Sequence, residues 1–276
     1  MVIQQDGLEC SIPLEDIWAV ILETRQAQVS SALFSAFCEA GVVLITCDQK
    51  HNPNGMLLPI APNCRFSEIV ESQLSMSKPL RKRLWQRIVK TKIENQSRVL
   101  ELLGKDPQRL MMFSADVRSG DTTNREGSAA AAYFSQLLPL GGRHGSVYSD
   151  ALDYGYMVLR AGVARSVVSG GWLPSRGINH CNKLNPFNLV DDLIEYFRPI
   201  VDLIVTSYEI SGELTPEKKA VLASIFEYMV LIDGDRYSLQ TAIEETVRSL
   251  RPAIEQGDVK LLRMPAIIGL ETIREE

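Results

Sequence analysis

GINHCNKLNPFNLVDDLIEYFRPIVD, residues 177–202, gathers one of the chain's 3 histidines and the carboxylates of Asp191, Asp192 and Glu195 in one short segment. Asn185 followed by Pro186 reads as an N-cap and first helical residue, since proline lacks the N–H that a helix start leaves unpaired. The pattern predicts a helix from there that carries the three acids in its early turns. Asp192 and Glu195, three residues apart, share a face, while Asp191 points roughly a third of a turn away. His180 sits just before the start. Arg198-Pro199 predicts a kink after Phe197, because proline removes a backbone bond and clashes with the preceding turn, so Asp202 falls beyond it. Acids this close repel unless solvent, a basic residue or a cation compensates them, and Phe187, Leu189, Val190, Leu193 and Ile194 suggest a partly buried face. Two readings stand at this point: a divalent-cation site, or a solvated acidic helix start stabilised by the helix dipole.

The chain has 276 residues, 45% of them hydrophobic, a length that favours two domains over one. No apolar run approaches the ~20 residues that span a bilayer, and the N-terminus lacks a basic segment followed by an apolar one, so a cytoplasmic protein is expected. The 5 cysteines have no CxxC spacing and are odd in number, which argues against a disulfide framework and a structural zinc site and for buried reduced thiols. The net charge of −5 does not mark a nucleic-acid binder, but between Lys78 and Arg98 eight basic residues meet one acid, Glu94. That window is either a solvated helix face or a phosphate-binding surface.

The expected fold class is α+β, with a small β-rich domain over residues 1–62 followed by a larger all-α helical domain over residues 66–276. In the first part Asp6-Gly7 signals a hairpin, residues 17–22 and 42–47 are apolar runs of strand length, and Asn52-Pro53-Asn54-Gly55 reads as a turn into Met56-Leu57-Leu58. One helix interrupts them, capped by Ser30 or Ser31 and ended by Gly41. Beyond Pro62 helical periods take over. Pro79 opens a long helix whose buried stripe runs from Leu80 to Leu103 and whose opposite face is the basic one. A polar loop over residues 119–124 precedes an alanine-rich helix from Glu126, stopped by Pro139. Residues 151–169 form a helix in which Gly155 and Gly162 call for close packing or ligand approach. Thr215-Pro216 starts a helix to about Leu231, Ser238 caps another toward Gly257, and the last twenty residues carry no site signal.

NREGSAAAAYF from Asn124, ALDYGYMVLRAGVARSVV from Ala151, LPSRGINH from Leu173, NPFNLVDDLIEYFRPIVD from Asn185 and KIENQ from Lys92 stand in an order and spacing that resemble the family of CRISPR-associated protein one, in its type II-like form. The resemblance covers nearly the whole chain. It implies a metal-dependent DNA endonuclease and integrase that inserts new spacers into a CRISPR array by attack of a DNA 3′-OH on a repeat phosphodiester. It also implies an N-terminal dimerisation domain, a Mg²⁺ or Mn²⁺ site and a complex with the small CRISPR-associated protein two. The family's metal ligands and catalytic residues fall on Glu126, His180 and Glu195, and Asp192 matches a nearby acid that would support the site or ligate occasionally. Two carboxylates and an imidazole suit Mn²⁺ readily and Mg²⁺ acceptably. Double-stranded DNA, as prespacer and repeat, is the expected partner, with Arg83, Arg87, Lys90 and Arg125 as candidate phosphate contacts.

Outside the resemblance, His180 reads equally as a packed or surface residue, Glu126 as a helix N-terminal charge, and Arg198 as an ion-pair partner of Asp191 or Asp192. His51 and His144 are assigned no role. The chain departs from the family pattern at Ala131, where a basic residue is usual, and at Ser149, Asp153 and Tyr196, and its first strand is expected to be shortened. None of these removes a ligand, yet they leave a second reading, a DNA-binding dimer scaffold of the same complex that has lost turnover.

Overall fold

The computed structural model describes residues 1–5, 7–24, 26–49, 53–60, 63–138 and 142–272. Strands β1 (Val2–Gln5) and β2 (Leu8–Ser11) pair antiparallel as expected, with Gly7 at φ +79° after the turn; Asp6 lies outside the described residues. Next, β3 (Ala19–Leu22) runs parallel to β4 (Val43–Cys47), and helix α1 (Ser31–Ala40) makes the crossover between them. The Ser30 hydroxyl accepts the Leu33 N–H at its start and Gly41, at φ 68°, closes it, as the sequence predicts. The turn expected over residues 52–55 is displaced: β5 (Pro53–Leu57) already begins at Pro53 and pairs antiparallel with β4, while Asn52 lies outside the described residues. Gly55 is glycine because a Cβ there would come within 2.7 Å of Thr46 Oγ1 across the ladder.

From Phe66 onward helices dominate: α2 (Phe66–Leu74), α3 (Lys78–Leu102), α4 (Gln108–Ala115), α5 (Arg125–Leu137), α6 (Gly142–Gly145), α7 (Ser149–Ser169), α8 (Asn188–Ile194), α9 (Arg198–Ser207), α10 (Pro216–Ala223) and α11 (Leu239–Glu255). The α+β class holds, with a small strand-rich first part and a mostly helical larger part. Pro62 and Pro139, proposed as boundary and stop, lie outside the described residues. On α3 the expected stripe is buried from Leu80 through Leu84, Trp85, Ile88, Val89, Ile93 and Gln96 to Leu100. Close packing accounts for the two glycines of α7: a Cβ on Gly155 would meet Val201 at 2.6 Å, and one on Gly162 would meet Phe226 at 2.4 Å and Trp18 at 2.6 Å.

Three expectations need correction. The helix expected to reach Leu231 stops at Ala223, and after a short 3-10 turn the run Tyr228–Ile232 forms β6. With β7 (Asp235–Ser238) and β8 (Ala266–Thr272) it builds an antiparallel sheet in the order β7-β6-β8, so the larger part is helical with one added sheet. The reason is local: Tyr228-Met229-Val230-Leu231-Ile232 is a strand-forming run, and Asp233-Gly234, both at positive φ, turns it back. The acid-bearing helix begins at Asn188 rather than Pro186, because the Asn185 side chain accepts the Phe187 N–H and holds a turn there. It also breaks completely over residues 195–197 before α9 restarts at Arg198-Pro199. The cysteines are free but not buried: Cys10, Cys64 and Cys181 are exposed and Cys38 and Cys47 partly so.

The β3-β4-β5 sheet is seated on the helical part. Val43 and Ile45 of β4 pack with Ala161 of α7, Trp18 lies 4.4 Å from Phe226 between ring centroids, and its Nε1 donates to Glu244 at 3.0 Å. Among the described residues no helix is long and apolar enough to cross a membrane.

Candidate active site

Four elements converge on one cleft, and each presents its functional side chain for a local reason. At the start of α5, Asn124 adopts a left-handed conformation and accepts the Gly127 N–H, while the Asp121 carboxylate accepts the N–H groups of Arg125 and Glu126 at 2.8 and 3.0 Å. This double cap fixes Glu126 in the first turn. The loop over residues 177–180 is wound around Asp192, which is fully buried on α8: Oδ2 accepts the Ile178 and Asn179 N–H groups at 2.5 and 3.0 Å, and Oδ1 accepts the His180 N–H at 3.1 Å. Gly177 makes the wrap possible, since a Cβ there would fall 2.3 Å from the His180 carbonyl oxygen and 2.7 Å from Asp192 Oδ2. The same carboxylate faces His180 Nδ1 at 2.7 Å, so with Nδ1 as the donor the Nε2 lone pair is left for other work. That hydrogen bond, against the opposing pull of burial, raises the His180 pKa.

Glu195, at the C-terminal end of α8, is 8% exposed. Its Oε2 lies 2.5 Å from Lys92 Nζ and its Oε1 3.2 Å from Arg198 Nε. The Lys92 ammonium, brought in from the middle of α3, lies equally close to Glu126, 2.7 Å from Oε1. Burial pushes the Glu195 carboxyl up, but Lys92 and Arg198 outweigh it and hold the group below its ordinary range. Burial pulls Lys92 down, and Glu195 and then Glu126 more than restore it. Asp191 faces elsewhere, to Arg160 Nε at 2.7 Å and Arg160 Nη2 at 3.1 Å, with Asn185 Nδ2 at 2.6 Å. The three acids of the segment are thus separated, and a basic residue compensates two of them: Arg160 for Asp191, and Lys92 with Arg198 for Glu195. Arg198, open from sequence to a phosphate contact or an ion pair with Asp191 or Asp192, pairs with Glu195.

Behind the cleft, Asp202 of α9 is buried and accepts the hydroxyls of Tyr133, at 3.0 Å, and Tyr156. Burial raises its pKa to about 6 even though both phenols lower it. Arg143 and Arg198 each lie 4.9 Å over the Tyr156 ring. His180, Glu195, Arg198 and Tyr156 line the open side of the cleft, together with Arg143 and Asp191.

The structure therefore brings Glu126 and Glu195 together on Lys92 and sets His180, oriented by Asp192, on the same cleft. Among the described residues no group of three His, Cys, Asp or Glu side chains already forms a cage. In kind, two carboxylates and an imidazole with its far nitrogen anchored fit a hard divalent cation. The place between the two glutamates is taken by the Lys92 ammonium. Lys92 is the residue that sequence reasoning missed: it was counted with the basic face, although it lies in register with the buried stripe, four residues before Gln96 and seven after Trp85.

The candidate phosphate contacts are spread out. Arg83 donates to the Gly257 carbonyl at 3.3 Å, and Arg87 to that of Leu262 at 3.0 and 3.3 Å. Arg125 turns from the cleft to Asp116, whose Oδ2 accepts its Nε at 2.7 Å. Lys90, half exposed, lies 3.9 Å from Glu94. His51 lies outside the described residues.

Comparison with known proteins gives this geometry a family. A CRISPR-associated endonuclease Cas1 of Neisseria meningitidis serogroup C (strain 8013) is 40% identical over 284 aligned residues, covering 100% of this chain and 93% of that protein. A casposase bound to integration product superposes with a TM-score of 0.75 at 18% identity, over 91% of this chain and 82% of that one. A chain of a Cas6-RT-Cas1–Cas2 complex gives 0.72 at 18% identity, over 95% of this chain and 33% of that one. At that identity the two likenesses establish the fold. The family model for CRISPR associated protein Cas1 matches residues 1–221, and with that match and the whole-length relative in hand, the chain belongs to the Cas1 family.

Proposed function

We propose that this chain is a divalent-metal-dependent DNA endonuclease and integrase of the cytoplasm, which inserts spacers into a CRISPR array by attack of a DNA 3′-OH on a repeat phosphodiester. The observation that carries the reading is that Lys92 gathers Glu126 and Glu195 from two helices, while the Asp192-anchored His180 lines the same cleft as Glu195. Glu126, His180 and Glu195 would hold Mg²⁺ or Mn²⁺, which when bound neutralises charge on the non-bridging phosphate oxygens and favours an attacking hydroxyl. The chain's own residues do the rest. Asp192 fixes the imidazole so that no reorientation is needed at the moment of reaction, and Arg198, tied to Glu195 and stacked on Tyr156, offers a guanidinium to a phosphate entering the open side. No serine or cysteine is paired with a histidine among the described hydrogen bonds, in keeping with a direct displacement that needs no covalent enzyme intermediate.

The partners belong to the same proposal: duplex DNA, a second copy of this chain through residues 1–62, and the small CRISPR-associated protein two. Residues 66–276 would form the catalytic domain. The fold likeness to a casposase bound to integration product and to a Cas1–Cas2 assembly supports DNA and the small protein as partners. The scaffold reading is favoured by one observation, the Lys92 ammonium standing between two of the three ligands. Purified protein incubated with a prespacer, a repeat-bearing plasmid, the small partner and Mg²⁺ or Mn²⁺ decides between them. Integration is expected, and Glu126→Ala, His180→Ala and Glu195→Ala are each expected to reduce it at least a hundredfold with the fold intact. Full activity in any one variant removes that residue from the site, and no integration by the wild type leaves the scaffold.

A further inference from the structure

Lys92 is placed unlike any other lysine of α3. Its side chain is 12% exposed and its ammonium meets Glu126 at 2.7 Å and Glu195 at 2.5 Å, carboxylates that come from two different helices. Glu195 keeps a second counter-charge in Arg198, whereas Lys92 is the ion-pair partner of Glu126 among the described residues. A surface ion pair of this kind would be a decoration, but two acids gathered on one enclosed cation depend on it for their mutual distance. A divalent cation and the ammonium ask for the same oxygens.

We propose that Lys92 is a positioning residue, the resident counter-ion of the site, which holds Glu126 and Glu195 at working distance in the absence of a divalent cation and has to release them when one binds. The inference rests on the metal reading above and adds a cost to it. Only the fraction of molecules in which Lys92 has withdrawn can take the ion with both carboxylates, so the observed affinity is the intrinsic one reduced by that fraction. The unbranched stem suits the task, because four rotatable bonds let the ammonium swing out while α3 stays fixed in the core. It also explains why the site is not a ready cage: the ammonium already balances the two carboxylates.

The test is a Mn²⁺ titration of the full chain, followed by the electron paramagnetic resonance signal of free Mn²⁺, with thermal unfolding measured alongside. Lys92→Met is expected to bind Mn²⁺ at least tenfold more tightly than the wild type and to gain a larger rise in Tm on adding the ion. A purely structural lysine would lower Tm in the variant and leave the Mn²⁺ affinity where it was. Lys92→Gln keeps a hydrogen-bond donor without the charge and gives the same reading if the methionine variant does not fold. Equal or weaker Mn²⁺ binding in the variants overturns the inference and leaves the metal reading standing. No binding by wild type or variants overturns both.

Discussion

Asp192 is the residue whose part changed most between sequence and structure. From sequence it was a supporting acid of uncertain role on the same face as Glu195; in the fold it accepts three backbone N–H groups and anchors His180. Asp192→Ala takes the acceptor from the buried Ile178 N–H and from the part-buried N–H groups of Asn179 and His180, so a loss of roughly 1–3 kcal/mol in urea unfolding is expected, together with a 10–100-fold loss of Mn²⁺ affinity. Unchanged Mn²⁺ binding would separate the loop from the site. Asp202 gives a pH dependence with a definite sign. Its pKa is about 6 in the folded chain against the ordinary 3.8 of an aspartate, so between those values the native state holds a proton that the unfolded state has lost. Stability from this group therefore falls as pH rises from about 4 to about 6, and the full penalty, about 3 kcal/mol at most, is present above that. In Asp202→Asn the term vanishes. The stability difference between wild type and variant should move against the wild type across this window and stay flat above it; a constant difference excludes the buried-acid account. Motif order singles out Glu126, His180 and Glu195, and the fold puts Glu126 and Glu195 on one lysine and His180 beside Glu195. The place of Lys92 is harder to read, because a charge count treats every lysine as solvent-facing and only its register with Trp85 and Gln96 reveals that it is enclosed.

Among the elements, α3 was the most legible and its charge the least. Ser77 and Pro79 announce its start, Gly104 its end, and the apolar period its buried side. The other side does not act as one surface, since Arg83 and Arg87 spend guanidinium N–H groups on carbonyls near the end of α11 and beyond it, while Lys90 is 52% exposed. Lys90→Ala is accordingly expected to flatten the plot of log DNA affinity against log salt by about one unit. Arg87→Ala should flatten it less and instead lower Tm, because Leu262 loses its donor; equal effects on the slope would return both residues to a common phosphate-binding face. The missed sheet has a simpler cause. Asp233-Gly234 carries the same hairpin signal as Asp6-Gly7, but it follows so closely on helical residues that the strand run before it was read as the helix's last turns. β8 gave no comparable warning, since its Gly269 and its distance from β6 in sequence hide a pairing that only the folded chain makes.

At the scale of the molecule, the first part leaves apolar residues of its hairpin uncovered. β1 and β2 form a sheet of two strands on their own, β2 is exposed along its whole length, and Val2, Ile3 and Leu8 stand in solvent, Leu8 at 77%. An isolated two-stranded hairpin is marginal in water, and an apolar face this near a chain end is costly unless something covers it. In the neighbouring β3-β4-β5 sheet β4 turns Val43 and Ile45 onto α7 and Leu44 toward Phe37 and Met1, and Ile3 and Leu8 stay exposed all the same. A two-fold pairing would cover them, since the same patch then meets itself and the assembly closes without leaving a free edge. Light scattering at micromolar concentration should give twice the chain mass of 30.8 kDa. Leu8→Asp with Ile3→Asp places a charge at the centre of the proposed contact and should halve that mass while leaving Mn²⁺ binding at Glu126 and Glu195 unaltered. A wild-type chain that scatters as a monomer contradicts the pairing, and a double variant that remains a dimer moves the interface away from the hairpin.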